Sequence, residues 1–175
     1  MKCLKCGRNA EISYPNGDLC KDCFLEVLVS RIKKEIRLKN PFSKNEKVLV
    51  HGKLAEYFLK KAVGDLPLKI KVVKPAFGGK VVVGFDKIVI PITADDEAEA
   101  FFEEMMKKKA SIEKKNSKIV KIFVPVLDSE LVSASKILKI HFKAERRSRE
   151  YEKIRQRNPA SAFGLVKSKD DVENN

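Results

Sequence analysis

From Phe24 onward the apolar residues follow two periods that alternate along the chain. Phe24, Leu25, Leu28, Val29, Ile32 and Ile36 recur at helical spacing, and Arg31, Lys33, Lys34, Arg37 and Lys39 take the positions between them. The pattern predicts a basic amphipathic helix of about four turns. Asn40-Pro41 ends it, since the residue before a proline avoids the α region, and residues 41–46 read as a linker. Residues 47–50 then predict a short strand and His51-Gly52 a turn. Residues 53–63 predict a helix with Leu54, Tyr57, Phe58 and Ala62 inward and Gly64 at the C-cap. Residues 68–73, 80–83 and 87–90 read as strands. Thr93 is placed to cap a helix whose first turn carries Asp95, Asp96 and Glu97 and whose last carries Lys107, Lys108 and Lys109, an order that complements the helix dipole. A strand at 119–124 and a helix from Asp128 or Ser129 to about Ile140 complete the alternation. Strands alternating with helices predict an α/β fold, a mostly parallel sheet flanked by helices.

The last third is different. Residues 143–157 have helical propensity but few apolar positions, only Ala144, Tyr151 and Ile154, while Lys143, Arg146, Arg147, Arg149, Lys153, Arg155 and Arg157 crowd the segment. Asn158-Pro159 stops it. Residues 161–166 read as a short docking segment and 167–175 as a frayed end. The expected organisation is a unit at 1–40, an α/β domain at 47–142 and a basic helix and tail at 143–175.

The chain's four cysteines are Cys3, Cys6, Cys20 and Cys23, two C-x-x-C pairs on either side of a polar hairpin turned at Tyr14-Pro15-Asn16-Gly17-Asp18. A C-x-x-C turn aims backbone N–H groups at its sulfurs, and two such turns complete an S4 shell that suits zinc in a closed site. Gly7 follows the second sulfur, where the knuckle favours a positive φ. Disulfides and an iron–sulfur cluster are the competing uses of four cysteines. Nothing points to secretion, and the paired spacing favours zinc. Residues 1–40 therefore read as a zinc ribbon followed by the basic helix.

Composition changes the picture in one respect. The formal charge is +13, from 37 Lys and Arg against 24 Asp and Glu, which points to an anionic partner with nucleic acid first. Charged residues are 35% of the chain, glutamine occurs once and tryptophan is absent, a bias shared with proteins of hot habitats. Local clusters therefore count for more than the total. Arginine is concentrated in residues 146–157, where its planar fork suits phosphate and Tyr151 could stack on a base; Arg31 and Lys34 on the first helix form a second candidate surface. The plain alternative for either is a solvated helix face. The apolar runs are four to six residues at their longest, far short of a membrane span, and the chain opens on cysteines rather than a charged, greasy leader. The expected location is the cytoplasm, with no membrane partner.

Parallel α/β sheets bind ligands where strand C-termini meet helix N-termini. Two such junctions are legible, His51-Gly52-Lys53 and residues 91–99. The order of ribbon, basic helix, Lys47-Val48-Leu49-Val50 and Ala94-Asp95-Asp96-Glu97-Ala98-Glu99 resembles the cytosolic thiouridylase family, which thiolates the wobble uridine of tRNA and belongs to the PP-loop ATP pyrophosphatases. Phe24 after the last cysteine and residues 122–129 add to the likeness, while Ala100 stands where threonine is expected. The resemblance implies an adenine nucleotide alpha hydrolase-like fold. It also exposes departures. Catalytic members carry S-G-G-x-D-S after the first strand, a glycine-rich nest that grips pyrophosphate; here His51-Gly52-Lys53-Leu54-Ala55-Glu56 stands in its place, with no serine. The spare thiols and second zinc module of catalytic relatives have no counterpart either.

What remains resembles the non-catalytic second subunit of the complex. The expected function is a tRNA-binding partner of a catalytic PP-loop thiolase paralogue, not itself an enzyme, with zinc in its ribbon and His51, Gly52, Lys53, Asp95 and Asp96 as degenerate nucleotide-loop positions. Asp95 and Asp96 read first as dipole-stabilising residues, His51 as a local hydrogen-bonding group and Lys53 as a solvated lysine. Two alternatives remain: a zinc-ribbon adaptor for nucleic acid or protein unrelated to thiolation, and a small ATP-dependent enzyme with an unconventional nucleotide site.

Overall fold

The computed structural model describes residues 1–74, 84–107, 117–144, 147–158 and 160–173. The elements are α1 (Lys21–Lys39), β1 (Lys47–His51), α2 (Lys53–Val63), β2 (Lys69–Val73), β3 (Lys87–Thr93), α3 (Ala94–Met106), β4 (Ile119–Phe123), α4 (Asp128–Leu138), α5 (Arg149–Arg157) and α6 (Ser161–Glu173). The four strands form one parallel sheet in the order β2-β1-β3-β4. β1 is fully central, with Val48 and Val50 wholly buried, as a strand covered on both faces must be.

The two halves of the chain share a core. Cys3, Leu19, Phe24, Leu28 and Ile32 belong to the same buried cluster as Val48, Phe58, Val89 and Phe123, and Phe42 of the expected linker is buried among them. Phe58 meets Phe123 edge-on with centroids 5.6 Å apart. Arg31 joins α1 to distant parts of the chain. Its guanidinium donates to Tyr14 Oη at 2.9 Å, to Glu130 at 2.5 Å and to the Pro125 carbonyl, and lies 5.2 Å from the Phe163 ring centroid. Arg31 is thus a tie between elements, its guanidinium engaged by groups of the protein itself.

A second buried cluster seats the C-terminal helices. Ala94 and Ala98, one turn apart on α3, leave room for the Tyr151 ring and for Ala162, with Phe102, Phe163, Leu165 and Val166 around them. Two expectations change here. Residues 143–157 are not one helix: α5 begins at Arg149, and the Ser148 hydroxyl caps it by accepting from Tyr151 N–H. The segment read as a short dock and a frayed end is the single helix α6. It is held at its far end by Lys169, whose Nζ sits 3.0 Å from Glu97. The expected strand at 80–83, Lys108, Lys109 and Arg146 lie outside the described residues; Lys107 is the C-cap of α3 rather than part of its last turn. No described helix is long and apolar enough to cross a membrane.

Candidate metal centre and the carboxylate cage

The N-terminal unit is built from very little backbone structure. Isolated antiparallel bridges join Lys2 to Asn9 and Ile12 to Leu19, and Gly7 turns the first knuckle at φ 72° while its N–H donates to the Cys3 carbonyl. Cys20 is the N-cap of α1 and Cys23 lies in its first turn, so the helix start forms the second knuckle. All four Sγ atoms lie within 4.8 Å of one another, and all four cysteines are free thiols. Cys6 Sγ is 3.6 Å from Cys20 Sγ. One ion with bonds of about 2.3 Å sets tetrahedral sulfurs roughly 3.8 Å apart. The donor set therefore fits a single metal ion. A four-iron cluster, with one thiolate on each iron, needs its sulfurs on a larger frame.

Their surroundings shift Cys3, Cys6 and Cys23 in different directions. Burial works upward on Cys3, but the N–H groups of Cys20, Cys6 and Lys5 outweigh it and bring the thiol down to about 6. Arg8 holds Cys6 down by donating from Nε at 3.4 Å while its Nη1 pairs with Asp22 at 2.8 Å. Burial and the neighbouring sulfurs push Cys23 up to about 12. Four negative sulfurs cannot share this volume without a cation among them.

A second constellation stands at the carboxyl ends of β3 and β4, where α3 and α4 begin. Thr93 caps α3 with a reciprocal pair: Asp96 N–H donates to Thr93 Oγ1 at 3.1 Å, and Thr93 N–H donates to Asp96 Oδ2 at 2.7 Å. The Ala94 N–H donates to the Val126 carbonyl, which brings the two helix starts together. Asp95 is wholly buried and Asp128 is 3% exposed. Asp95 accepts from Asp128 N–H at 2.8 Å and from Tyr151 Oη at 3.3 Å, and Asp128 accepts from the Thr93 hydroxyl at 2.8 Å.

Arg147 enters this cage and fills it. Its Nη2 lies 2.5 Å from Asp128 and 2.7 Å from Asp96, its Nε donates to Asp128 at 3.0 Å, and its Nη1 pairs with Glu99 at 3.1 Å. The side chain is 6% exposed. Arg155 adds a longer contact, 3.7 Å from Asp95. Arg147 was expected to face RNA; the structure corrects this, because every arm of its fork is committed inside the protein. Arg155 is half-buried and aimed the same way. By contrast Lys143, Arg149, Lys153, Arg157 and Lys34 are exposed.

Burial raises Asp128, against the pull of Arg147. Burial also works upward on Glu97 and Glu99, but Lys121 and Lys169 around the first, and Ser148 N–H and Arg147 around the second, hold both below the ordinary 4.5. Depressed carboxylates leave the unfolded chain with more bound protons. The stability from Glu97 and Glu99 is therefore complete above about 4.5 and is lost as pH falls through their lower folded values. Asp128 acts oppositely, since its folded form holds a proton more tightly. The expected result of thermal melts carried from neutral to about pH 3 is a fall in midpoint concentrated at the acid end, and Glu99→Gln flattens it.

The turn after β1 is made by a single glycine. Gly52 has φ 91° and ψ 147°, a conformation open to glycine alone. Its N–H donates to the Val73 carbonyl at 2.9 Å, and its own carbonyl accepts from Glu56 N–H at 3.1 Å. Burial pushes the His51 imidazole below its usual value. Lys53 is exposed at the start of α2.

No family model matches the chain, and no curated protein matches it. Among solved structures the fold is similar to the U34-tRNA thiolase NcsA from Methanococcus maripaludis with its [4Fe-4S] cluster, at TM-score 0.70 and 15% identity, over 99% of this chain and 88% of that one. The likeness in fold therefore extends over nearly the whole of this chain.

Proposed function

We propose that this protein is a tRNA-binding subunit, without catalytic activity of its own, in 2-thiolation of the wobble uridine. A catalytic PP-loop paralogue works beside it and supplies ATP activation and sulfur transfer. What supports this reading is the likeness in fold to a thiolase over nearly the whole chain, joined to a first-strand turn, His51-Gly52-Lys53, that holds a single glycine. The one glycine there has already spent its N–H on Val73, and no serine follows it.

The cysteine inventory supports the same reading. The neighbour carries a [4Fe-4S] cluster, whereas this chain has four cysteines and all four stand in the ribbon. No thiolate is left to hold a cluster or carry sulfur beside the sheet. We assign zinc to the ribbon, bound by Cys3, Cys6, Cys20 and Cys23, where it supplies folding energy and no chemistry. A surplus of 13 positive charges supplies the attraction for tRNA phosphate.

The test is made in the native cell. Deleting the gene and measuring nucleosides by mass spectrometry is expected to remove 2-thiouridine from the wobble position, and affinity purification is expected to recover a PP-loop thiolase. Unchanged 2-thiouridine in the deletion strain overturns the proposal.

A further inference from the structure

The basic residues of the C-terminal segment are of two kinds, and the structure sorts them by helix face. On α5, residues 149, 153 and 157 succeed one another every fourth position, so their row drifts only about 40° per step and runs about 12 Å along the helix. All three, Arg149, Lys153 and Arg157, are exposed, and none makes an ion pair among the described residues. The opposite face carries Tyr151, fully buried against Ala94 and Ala98, and Arg155, which turns toward Asp95. Glu150, also exposed, flanks the outer row with a single opposing charge.

The inner face is fastened at its start. Glu99 of α3 accepts from Ser148 N–H at 2.6 Å and from Arg147 at 3.1 Å, so one carboxylate holds both the N-cap backbone and the arginine before it. Arg147 is then locked in the cage of Asp96 and Asp128. The helix cannot roll without breaking these contacts, and its outward row is fixed relative to the sheet.

We infer that Arg149, Lys153 and Arg157 form the phosphate-contacting face for the RNA backbone, and that Arg147 is a positioning residue that holds this face in place without touching RNA. The inference rests on the tRNA-binding reading above and deepens it. A rigid row of three cations matches a regular line of phosphates, and the fixed helix avoids the ordering cost a flexible basic tail meets on binding. The partner is a polyanionic RNA backbone; nothing on this face reads bases.

The experiment uses the full chain and a tRNA transcript, with affinity followed by fluorescence anisotropy between about 50 and 200 mM salt. Each phosphate contact contributes about 0.7 to 0.9 to the slope of log K against log salt. The triple variant R149A/K153A/R157A is expected to fold and melt as wild type does and to lose about two to three from that slope. R147K is expected to bind more weakly at every salt concentration with its slope unchanged, since lysine keeps the charge but cannot span three carboxylates. An unchanged slope in the triple variant overturns the phosphate row, and wild-type affinity in R147K overturns the positioning role. If the wild-type protein fails to bind tRNA at all, the reading beneath falls with the inference, which separates the two failures.

Discussion

With zinc assigned to the ribbon as proposed, stripping the metal is expected to unfold residues 1–20 and destabilise α1 with them. The ribbon has two isolated bridges and no described strand of its own, so its shape comes from four sulfurs held within 4.8 Å. A structural zinc contributes on the order of 10 to 16 kcal/mol of apparent binding energy in comparable S and N sites. Cys3, Cys20, Cys23 and Phe24 are part of the main core, so loss of the ribbon exposes apolar surface of α1 that the sheet alone does not cover. A strong chelator should release one equivalent of zinc, seen by a colorimetric indicator, with a large drop in melting temperature. Cys20→Ser should purify with little zinc and melt like the stripped protein. A melting curve untouched by chelation would contradict the assignment, and a brown protein with iron in place of zinc would replace it.

Truncating Arg147 is the second large effect. Arg147→Met removes one cation from among Asp96, Glu99 and Asp128 and leaves those carboxylates facing one another in a site where Asp128 is almost fully buried. Breaking a buried pair by removing one partner costs about 3 to 5 kcal/mol. For a chain of this size that corresponds to roughly 6 to 20 °C in melting temperature. Arg157→Met, on the exposed side of the same segment, should stay within about 0.5 kcal/mol. Differential scanning calorimetry of the two variants checks the contrast, and equal midpoints would show that the cage carries no stability. Hydrogen exchange should localise the Arg147→Met loss to α5 and α6, whose seat on α3 the cage secures.

Much of the architecture could be read from local signals. Thr93 announced the start of α3, Gly64 the end of α2 and Asn40-Pro41 the end of α1, and the structure gives Thr93 a reciprocal cap and Asn40 a left-handed conformation. The cysteine spacing announced the cluster of four thiols. What sequence could not show was which arginines face inward. Arg147 sits in a basic run like its neighbours, and its partner Glu99 lies 48 residues earlier. A usable signal existed: acidic residues opening two helices that come after adjacent parallel strands must meet, and a buried meeting of carboxylates demands a cation. Helix α6 escaped for a related reason. Lys167, Ser168, Lys169, Asp170 and Asp171 read as a solvated tail, and only the docking of Ala162 on α3 and of Lys169 on Glu97 makes the segment a packed helix.

On our proposal the turn after β1 no longer holds a triphosphate, so the chain assists chemistry performed by another subunit. Isothermal titration of the full-length, metal-loaded protein with ATP and magnesium is the decisive experiment. The expected result is no saturable heat below millimolar nucleotide and no turnover by the protein alone. Saturable micromolar binding that is lost in Lys53→Ala, or hydrolysis of ATP by the isolated chain, would contradict it.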